Sequence, residues 1–520
     1  MRYIKAAYKI NNEANGGASA FDGVFFLLLV FAFAVRLFQS LNTYIIESDS
    51  CMIIETAKTL GNLGSLSPMD LAVNVHPLFP LLMALISKCS IGYEESGKAL
   101  SILFGTLTLF PVYLASKAAY GRKVGHYSAF LFAVHPYLFV NASNVLRDST
   151  SIFFMIMTFF IAWQGFEGKK DRYLVLAGLT AALAYLTKAE GLFCMIAVLV
   201  YIWTGNPHGK ETTIRGRARS TLSFASISLT VAISLIVIFS VKAHSFSLNP
   251  GKPLGAISLF SQSLMGLNAE AEVLGVLATG ITQVDMITAF LLTFFEAVFT
   301  VYILFLGINI VRFWTRTALS PIERYYLFIA ITLLVLEFIY FSQVHVFSRR
   351  YFLSIVILLM GFMGYGLRLL QARLENLIGR RNGSALYLRI LMVIFVSVMI
   401  TGALIKGSYY WEPRKVSLKV AGRYILSRAG DEKIILTDDP RIAYYANGTY
   451  LKLTKNSLLK GTRVKESACR YDFIAFSRED NFLLYEKYKE RITDSGFIDL
   501  SFPLPPGSKN VIVLECSKNK

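Results

Sequence analysis

Two aspartates and a handful of cations are the residues here whose types and spacing suggest chemistry. Asp49 stands in SLNTYIIESDSCMIIETAKTL, a polar stretch that also holds Glu47 and Glu55 and lies between apolar runs. A carboxylate just outside a membrane-embedded core can take a proton from an incoming hydroxyl or amine as a general base. The apolar residues around it recur at helical spacing, so Asp49 is read at the start of a helix lying on the membrane. Asp148, in SNVLRDSTS, opens another apolar run and can equally serve as a helix N-cap. Arg349 and Arg350, in HVFSRRYFLS, sit together at the end of an apolar run with Tyr351 next to them. Snorkelling to lipid head groups is one use for such a pair. Gripping a phosphate with planar guanidinium forks is another. Lys188, in LTKAEGLF, has Glu190 as an evident partner, Arg147 adjoins Asp148, and His76 precedes Pro77 as either a structural or a substrate-touching residue. Acids and cations gathered at one mouth of an apolar bundle suit an anionic lipid head group beside a base.

Those residues need a membrane-spanning scaffold, and the composition supplies one. Of 520 residues 54% are hydrophobic and only 17% charged, against roughly a quarter charged in soluble domains. Apolar runs near 21–39, 98–118, 124–142, 150–166, 173–187, 191–204, 220–241, 287–311, 325–343, 350–368 and 388–406 have the length of spans, about 20 residues each. The segment 77–91 is short and holds two prolines and Lys88, which reads as interfacial or re-entrant. With it outside the count, the basic N-terminus and the loops at Arg122–Lys123, Lys169–Arg172, Lys210–Arg219, Arg312–Arg324 and Arg368–Arg381 all fall on one face. That is the cytoplasmic bias of Lys and Arg. It accounts for the net charge of +18 without nucleic acid. The expectation is a polytopic α-helical membrane protein of about eleven spans, in the cell membrane, with its N-terminus cytoplasmic and its C-terminus extracytoplasmic. Five cysteines show no metal-binding spacing, and Cys469 with Cys516 is the pair that could form a disulfide.

Residues 1–406 therefore read as the transmembrane domain and 407–520 as a separate extracytoplasmic α/β domain. In the tail, helices at 415–428, 441–446 and 480–492 alternate with strands at 434–439, 450–453, 471–477 and 511–516. There is no Gly-rich phosphate loop, so no nucleotide is assigned. The tail reads as a structural cap or a cover on the substrate side.

The motifs, in order, resemble the GT-C superfamily of membrane glycosyltransferases, in the branch holding protein O-mannosyltransferases and the aminoarabinose transferase of lipid A. DSCMIIETA resembles the branch's Asp-bearing motif after the first span, with Ser50 where an acid usually follows and Ile53 where a Tyr usually stands. HPLFPLLMAL resembles its juxtamembrane helix, SILFGTLTLFPVYLASKAAYGRK its following span, and SNVLRDS its second outer loop. LTKAEGL and RRYFLS match a later turn and a late Arg-Tyr pair. The likeness covers about residues 20–205 and one motif within 340–370.

The resemblance implies an inverting transferase that uses a polyprenyl-phosphate-linked sugar at the outer leaflet. The acceptor is a lipid, glycan or protein. Asp49 would be the general base and Asp148 would position acceptor or sugar. Arg350, with Arg349 or Lys188, would stabilise the phosphate leaving group, and Arg147, His76 and Tyr351 complete the candidate binding set. The resemblance points to a bacterial inner membrane rather than endoplasmic reticulum. No cofactor is required, and a divalent cation, used by oligosaccharide-transferring relatives, stays open. The alternative is a multi-span transporter or flippase for a lipid-linked or anionic substrate, which would carry its ionisable residues at the bilayer midplane.

Overall fold

The computed structural model describes residues 22–61, 76–168, 170–205, 213–242, 283–314, 319–344, 348–378, 384–411, 415–429, 433–453, 471–477, 492, 497–500 and 511–516. The protein is mostly helical and divides into two compact units. One comprises Met1–Phe38, Thr56–Ser143 and Arg147–Gly407. The other comprises Gln39–Glu55, Asn144–Leu146 and Ser408–Lys520.

The first unit is a bundle of apolar helices. Among the described residues five are long and apolar enough to cross a membrane: Gly23–Asn42, Tyr93–Tyr120, Asp148–Gly168, Pro321–Ser342 and Arg349–Asn376. A sixth span results if the bent pair Asp285–Val298 and Thr300–Asn309 is taken as one. Shorter helices, Leu78–Ser87 and Gly191–Thr204 among them, lie in runs named above. The Leu78–Ser87 helix is only 10 residues long, with Pro77 as its N-cap and Pro80 in its first turn.

Two of the expected spans are broken. The run 124–142 forms helices Arg122–Val134 and Pro136–Asn141, interrupted at His135, which is extended (φ −69°, ψ 117°). Pro136 causes this, because the residue before a proline is pushed out of the α region. The run 287–311 bends by 91° at Phe299, which has φ 67°. A left-handed residue ends a helix at its C-terminus, but here a bulky side chain takes a conformation ordinarily left to glycine.

Small residues let the helices approach. A Cβ on Gly366 would lie 2.0 Å from the Phe305 carbonyl oxygen. Ser228 Oγ donates to the Gly178 carbonyl at 2.7 Å, and a Cβ on Gly178 would lie 2.0 Å from the Phe224 carbonyl oxygen. Helices in lipid gain little from apolar burial against each other, so backbone proximity and such hydrogen bonds hold them. The two spans carrying Asp148 and the arginine pair are the most enclosed of the five, with 72% and 78% of their apolar windows buried, against 33% for Gly23–Asn42. Side chains at their ends are thus mounted on the least deformable part of the bundle.

The second unit is built on a mixed sheet of β1 (Ile434–Thr437), β2 (Thr449–Lys452), β3 (Phe473–Ser477), β4 (Phe497–Asp499) and β5 (Val511–Cys516), in the order β2-β1-β3-β5-β4. β2 and β3 run parallel to β1, while β5 is antiparallel to both β3 and β4. Alternate side chains face opposite sides, as in any strand. Ile435, Phe473, Ala475 and Val513 join Leu418, Ala421 and Ile425 of the helix Val416–Ala429 on one side. Leu436, Ile474, Phe476 and Leu514 form the core on the other. Cys516 is disulfide-bonded, whereas Cys51, Cys89 and Cys194 form no disulfide. Cys469 and most of the expected helix 480–492 lie outside the described residues. The short strand β4 was not foreseen.

Candidate functional site

In the helical unit, residues far apart in the chain converge on Asp148. This aspartate opens its helix and is 4% exposed. Lys188 Nζ donates to its Oδ1 at 2.8 Å, and Arg350 Nη1 stands 4.0 Å from its Oδ2. Lys188 reaches this position because helix Asp171–Thr187 stops just before it and Lys188 itself is extended. Its ammonium also pairs with Glu190 at 2.6 Å and lies 4.7 Å from the centre of the Tyr351 ring. Burial alone would lower the Lys188 ammonium, but the carboxylates of Asp148 and Glu190 outweigh it and raise the group above its ordinary value. It therefore stays charged at any physiological pH. Arg147 adds a further positive charge that acts on Asp148.

Arg349 points elsewhere. Its Nη1 donates to Tyr137 Oη at 2.9 Å and pairs with Glu296 at 2.8 Å. Its guanidinium stacks over the Tyr137 ring at 5.0 Å, and Lys406 approaches the same ring at 5.9 Å. The two arginines, adjacent in sequence on a 3₁₀ turn Arg349–Phe352, thus serve different partners. Of the pair, Arg350 belongs with Asp148 and Lys188.

His76 sits just ahead of the Leu78–Ser87 helix. Its Nδ1 lies 2.6 Å from the Tyr185 carbonyl oxygen, with the ring edge-on to Tyr185 at 5.3 Å. That contact makes Nδ1 the protonated nitrogen. Burial lowers its pKa to about 4, further depressed by the charges of Arg147 and Lys188 and partly offset by the Tyr185 carbonyl. Since the unfolded value is about 6.5, the unfolded chain binds this proton first. Stability should rise with pH between about 4 and 6.5, with a slope of up to ~1.4 kcal/mol per pH unit. His76→Gln should flatten that segment of a stability-versus-pH curve, measured by thermal unfolding in detergent. An unchanged slope would mean that His76 is not buried neutral.

Asp49 belongs to the other unit. It lies in the first turn of helix Ser48–Gly61 and is exposed, whereas Ser50, Cys51, Ile53 and Ile54 are buried. The helical periodicity read from the sequence therefore defines a covered face and an open face, with Asp49 on the open one. The segment leading to it is tied to the tail. Ile45 is part of the sheet core with Ile435, Ile442 and Phe473. The Ile46 N–H donates to Tyr445 Oη at 3.3 Å, and Lys419 Nζ donates to the Tyr44 carbonyl at 3.2 Å. Arg441, held by two hydrogen bonds from Nε and Nη2 to Asp439 at 2.9 and 2.6 Å, approaches the Ile46 carbonyl at 3.5 Å. Ser50 Oγ donates to the Val145 carbonyl at 2.9 Å. The tail thus fixes the backbone three residues ahead of Asp49. Tyr445→Phe removes one such bond, a loss of about 0.5–1.5 kcal/mol. Amide exchange at Ile46 should quicken by up to about tenfold, and an unchanged rate would show that Tyr445 does not hold the segment.

Two functional candidates were missed in the sequence. Glu296, partner of Arg349, is a lone acid in LLTFFEAVF, and Glu337 is a lone acid in LLVLEFIYF. Glu337 is 2% exposed, its Oε2 has no hydrogen-bond partner, and the charges of Glu190 and Lys188 act on it. An ionisable residue inside an apolar span is itself a signal of function. No group of three or more His, Cys, Asp or Glu side chains is arranged for a metal among the described residues.

The family model described as dolichyl-phosphate-mannose-protein mannosyltransferase matches residues 74–244. A search of the curated proteins finds no match. Among solved structures, ArnT from Cupriavidus metallidurans bound to undecaprenyl phosphate is similar at 12% identity, covering 95% of this chain and 98% of that one with a TM-score of 0.58. Its apo form gives the same identity and coverage with a TM-score of 0.61. The Archaeoglobus fulgidus oligosaccharyltransferase in complex with Zn and sulfate is similar at 14% identity, covering 94% of this chain and 73% of that one, TM-score 0.56. The resemblance read from the motifs is matched by the family model over residues 74–244, and the fold is similar to those of ArnT and the archaeal oligosaccharyltransferase along nearly the whole chain.

Proposed function

We propose that this protein is an integral membrane glycosyltransferase that moves a sugar from a polyprenyl-phosphate donor to a lipid, glycan or protein acceptor, with inversion at the anomeric carbon. The observation that carries the reading is the buried cluster in which Asp148 holds Lys188 at 2.8 Å and Arg350 at 4.0 Å. One carboxylate orders two cations at the ends of apolar helices, which is what a lipid phosphate needs. ArnT, similar in fold, has been solved with undecaprenyl phosphate bound.

In the proposed step the acceptor hydroxyl or amine attacks the anomeric carbon while Asp49 takes its proton. The bond from the anomeric carbon to the phosphate oxygen breaks, and its electron pair leaves with polyprenyl phosphate. Arg350 and Lys188 stabilise the charge gathering on that phosphate, the kind of fixed electrostatic support that gives most of the rate in such steps. Asp148 keeps both cations in place rather than acting as a second base, since a carboxylate paired to Lys188 is a poor proton acceptor. Arg349 acts on the neighbouring Tyr137 and Glu296 surface. No step is routed through a cation. Activity with and without a chelator tests that choice.

The reading places the protein in a bacterial inner membrane with the N-terminus cytoplasmic and the tail extracytoplasmic, in keeping with the one-sided Lys/Arg loops. A transporter would favour paired broken helices. Among the described residues the runs 124–142 and 287–311 are both interrupted, and the second carries Glu296 bound to Arg349. The deciding experiment is sugar transfer by the purified chain in liposomes with a labelled polyprenyl-phosphate sugar and a panel of acceptors. Transfer with inverted anomeric configuration supports the proposal. Movement of intact donor across the bilayer without transfer would establish the transporter instead.

A further inference from the structure

We infer that the first membrane helix contains a binding site for a small inorganic anion of chloride's size and charge, built around Arg36. This arginine lies inside helix Gly23–Asn42 and is fully buried, 0% exposed. Its Nη1 donates to the Ala32 carbonyl at 2.9 Å, while Nε and Nη2 have no hydrogen-bond partner. The guanidinium also lies over the Phe132 ring, 5.1 Å from its centre.

A guanidinium does not lose its proton in proteins, so burial cannot be relieved by neutralisation as it can for lysine. Leaving such a charge unpaired in an apolar interior costs several kcal/mol, more than one backbone carbonyl and one ring face return. The unpartnered side of the group faces a small pocket. Its polar wall consists of Thr108, Asn141 and Ser149, and no acidic residue lines it. Gly105 makes the room: a Cβ there would come within 3.3 Å of Arg36 Nε and 2.5 Å of the Ala142 Cβ. The Thr108 hydroxyl donates to the Phe104 carbonyl at 2.8 Å, which leaves the Asn141 amide and the Ser149 hydroxyl as side-chain donors; beside an uncompensated cation, with no carboxylate in the lining, they suit an anion. A water molecule would satisfy N–H groups but leave the charge uncompensated. Asp148, Lys188 and Arg350 are not among its lining residues, and the inference does not depend on the function proposed for them.

The test is thermal unfolding of the full chain in detergent, titrated from gluconate into chloride or bromide at constant ionic strength. For wild type the melting temperature should rise saturably, by a few degrees at halide well above half-saturation. Arg36→Met should show no halide response and, in gluconate, should melt at or above wild type, because removing a buried unpaired charge is neutral or stabilising. If that variant does not fold, bromide soaked into wild-type crystals should give an anomalous peak in contact with Arg36. Wild-type stability indifferent to halide, a response that persists in Arg36→Met, or stabilisation that follows polyprenyl phosphate instead of halide would each overturn the inference.

Discussion

Asp49→Asn is expected to lower the rate of sugar transfer by about 10²–10⁴-fold, the range a positioned general base contributes. The substitution keeps the shape of the side chain but removes its negative charge and with it the capacity to accept the acceptor's proton. Asp49 is exposed on the open face of its helix, so folding and donor affinity should be nearly unchanged, and the loss should fall on kcat. A thermal unfolding midpoint within experimental error of wild type would confirm that the fold is intact. The covered face of the same helix gives the contrast: Ile53 and Ile54 are buried, and truncating either should lower stability before it lowers turnover. An Asp49→Asn enzyme with wild-type kcat would remove Asp49 from the chemistry.

Lys188→Met is expected to be the most damaging single change to stability in the candidate site. It strands two carboxylates, Asp148 at 2.8 Å and Glu190 at 2.6 Å, of which Asp148 is 5% exposed in its side chain. Removing one partner of a buried ion pair typically costs 3–5 kcal/mol. Arg350, 4.0 Å from the other oxygen of Asp148, offsets part of this. Adding Asp148→Asn to Lys188→Met should therefore recover stability, because the double variant leaves fewer unpaired charges. Activity should not return with it, since both the cation proposed to face the phosphate and the carboxylate paired with Arg350 are then gone. Thermal unfolding and donor-dependent transfer on the three variants separate the two effects. A double variant as unstable as the single would mean that Asp148 and Lys188 do not act as a pair.

The parts of this arrangement that were legible in the sequence were the ones set by local pattern. Asp148 at the mouth of an apolar run and Lys188 in the turn LTKAEG could each be found by type and place, and Glu190 was visible as the lysine's neighbour. The tail's strands could be read from alternation because each residue's face follows from period two. The three-residue β4 is too short to show a period. What was not legible depends on contacts across great sequence distance. Ile46 bonds Tyr445 from 399 positions away, and only the apolar pair Ile45–Ile46 inside a polar loop hinted that the segment is anchored. The division of labour between Arg349 and Arg350 follows from a 3₁₀ turn, which composition does not announce. The bend at Phe299 was unreadable because phenylalanine has no preference for the left-handed region. The break at His135 was readable from Pro136, yet the apolar run around it masked the signal.

Asp148, Lys188 and Arg350 are proposed to form a seat for a lipid-linked phosphate, and native mass spectrometry of the purified chain tests this most directly. Wild type incubated with polyprenyl phosphate should carry one bound lipid, and Arg350→Leu should bind it at least tenfold more weakly while keeping its melting temperature. A wild-type chain that binds no polyprenyl phosphate, or an Arg350→Leu chain that binds it equally well, would contradict the account.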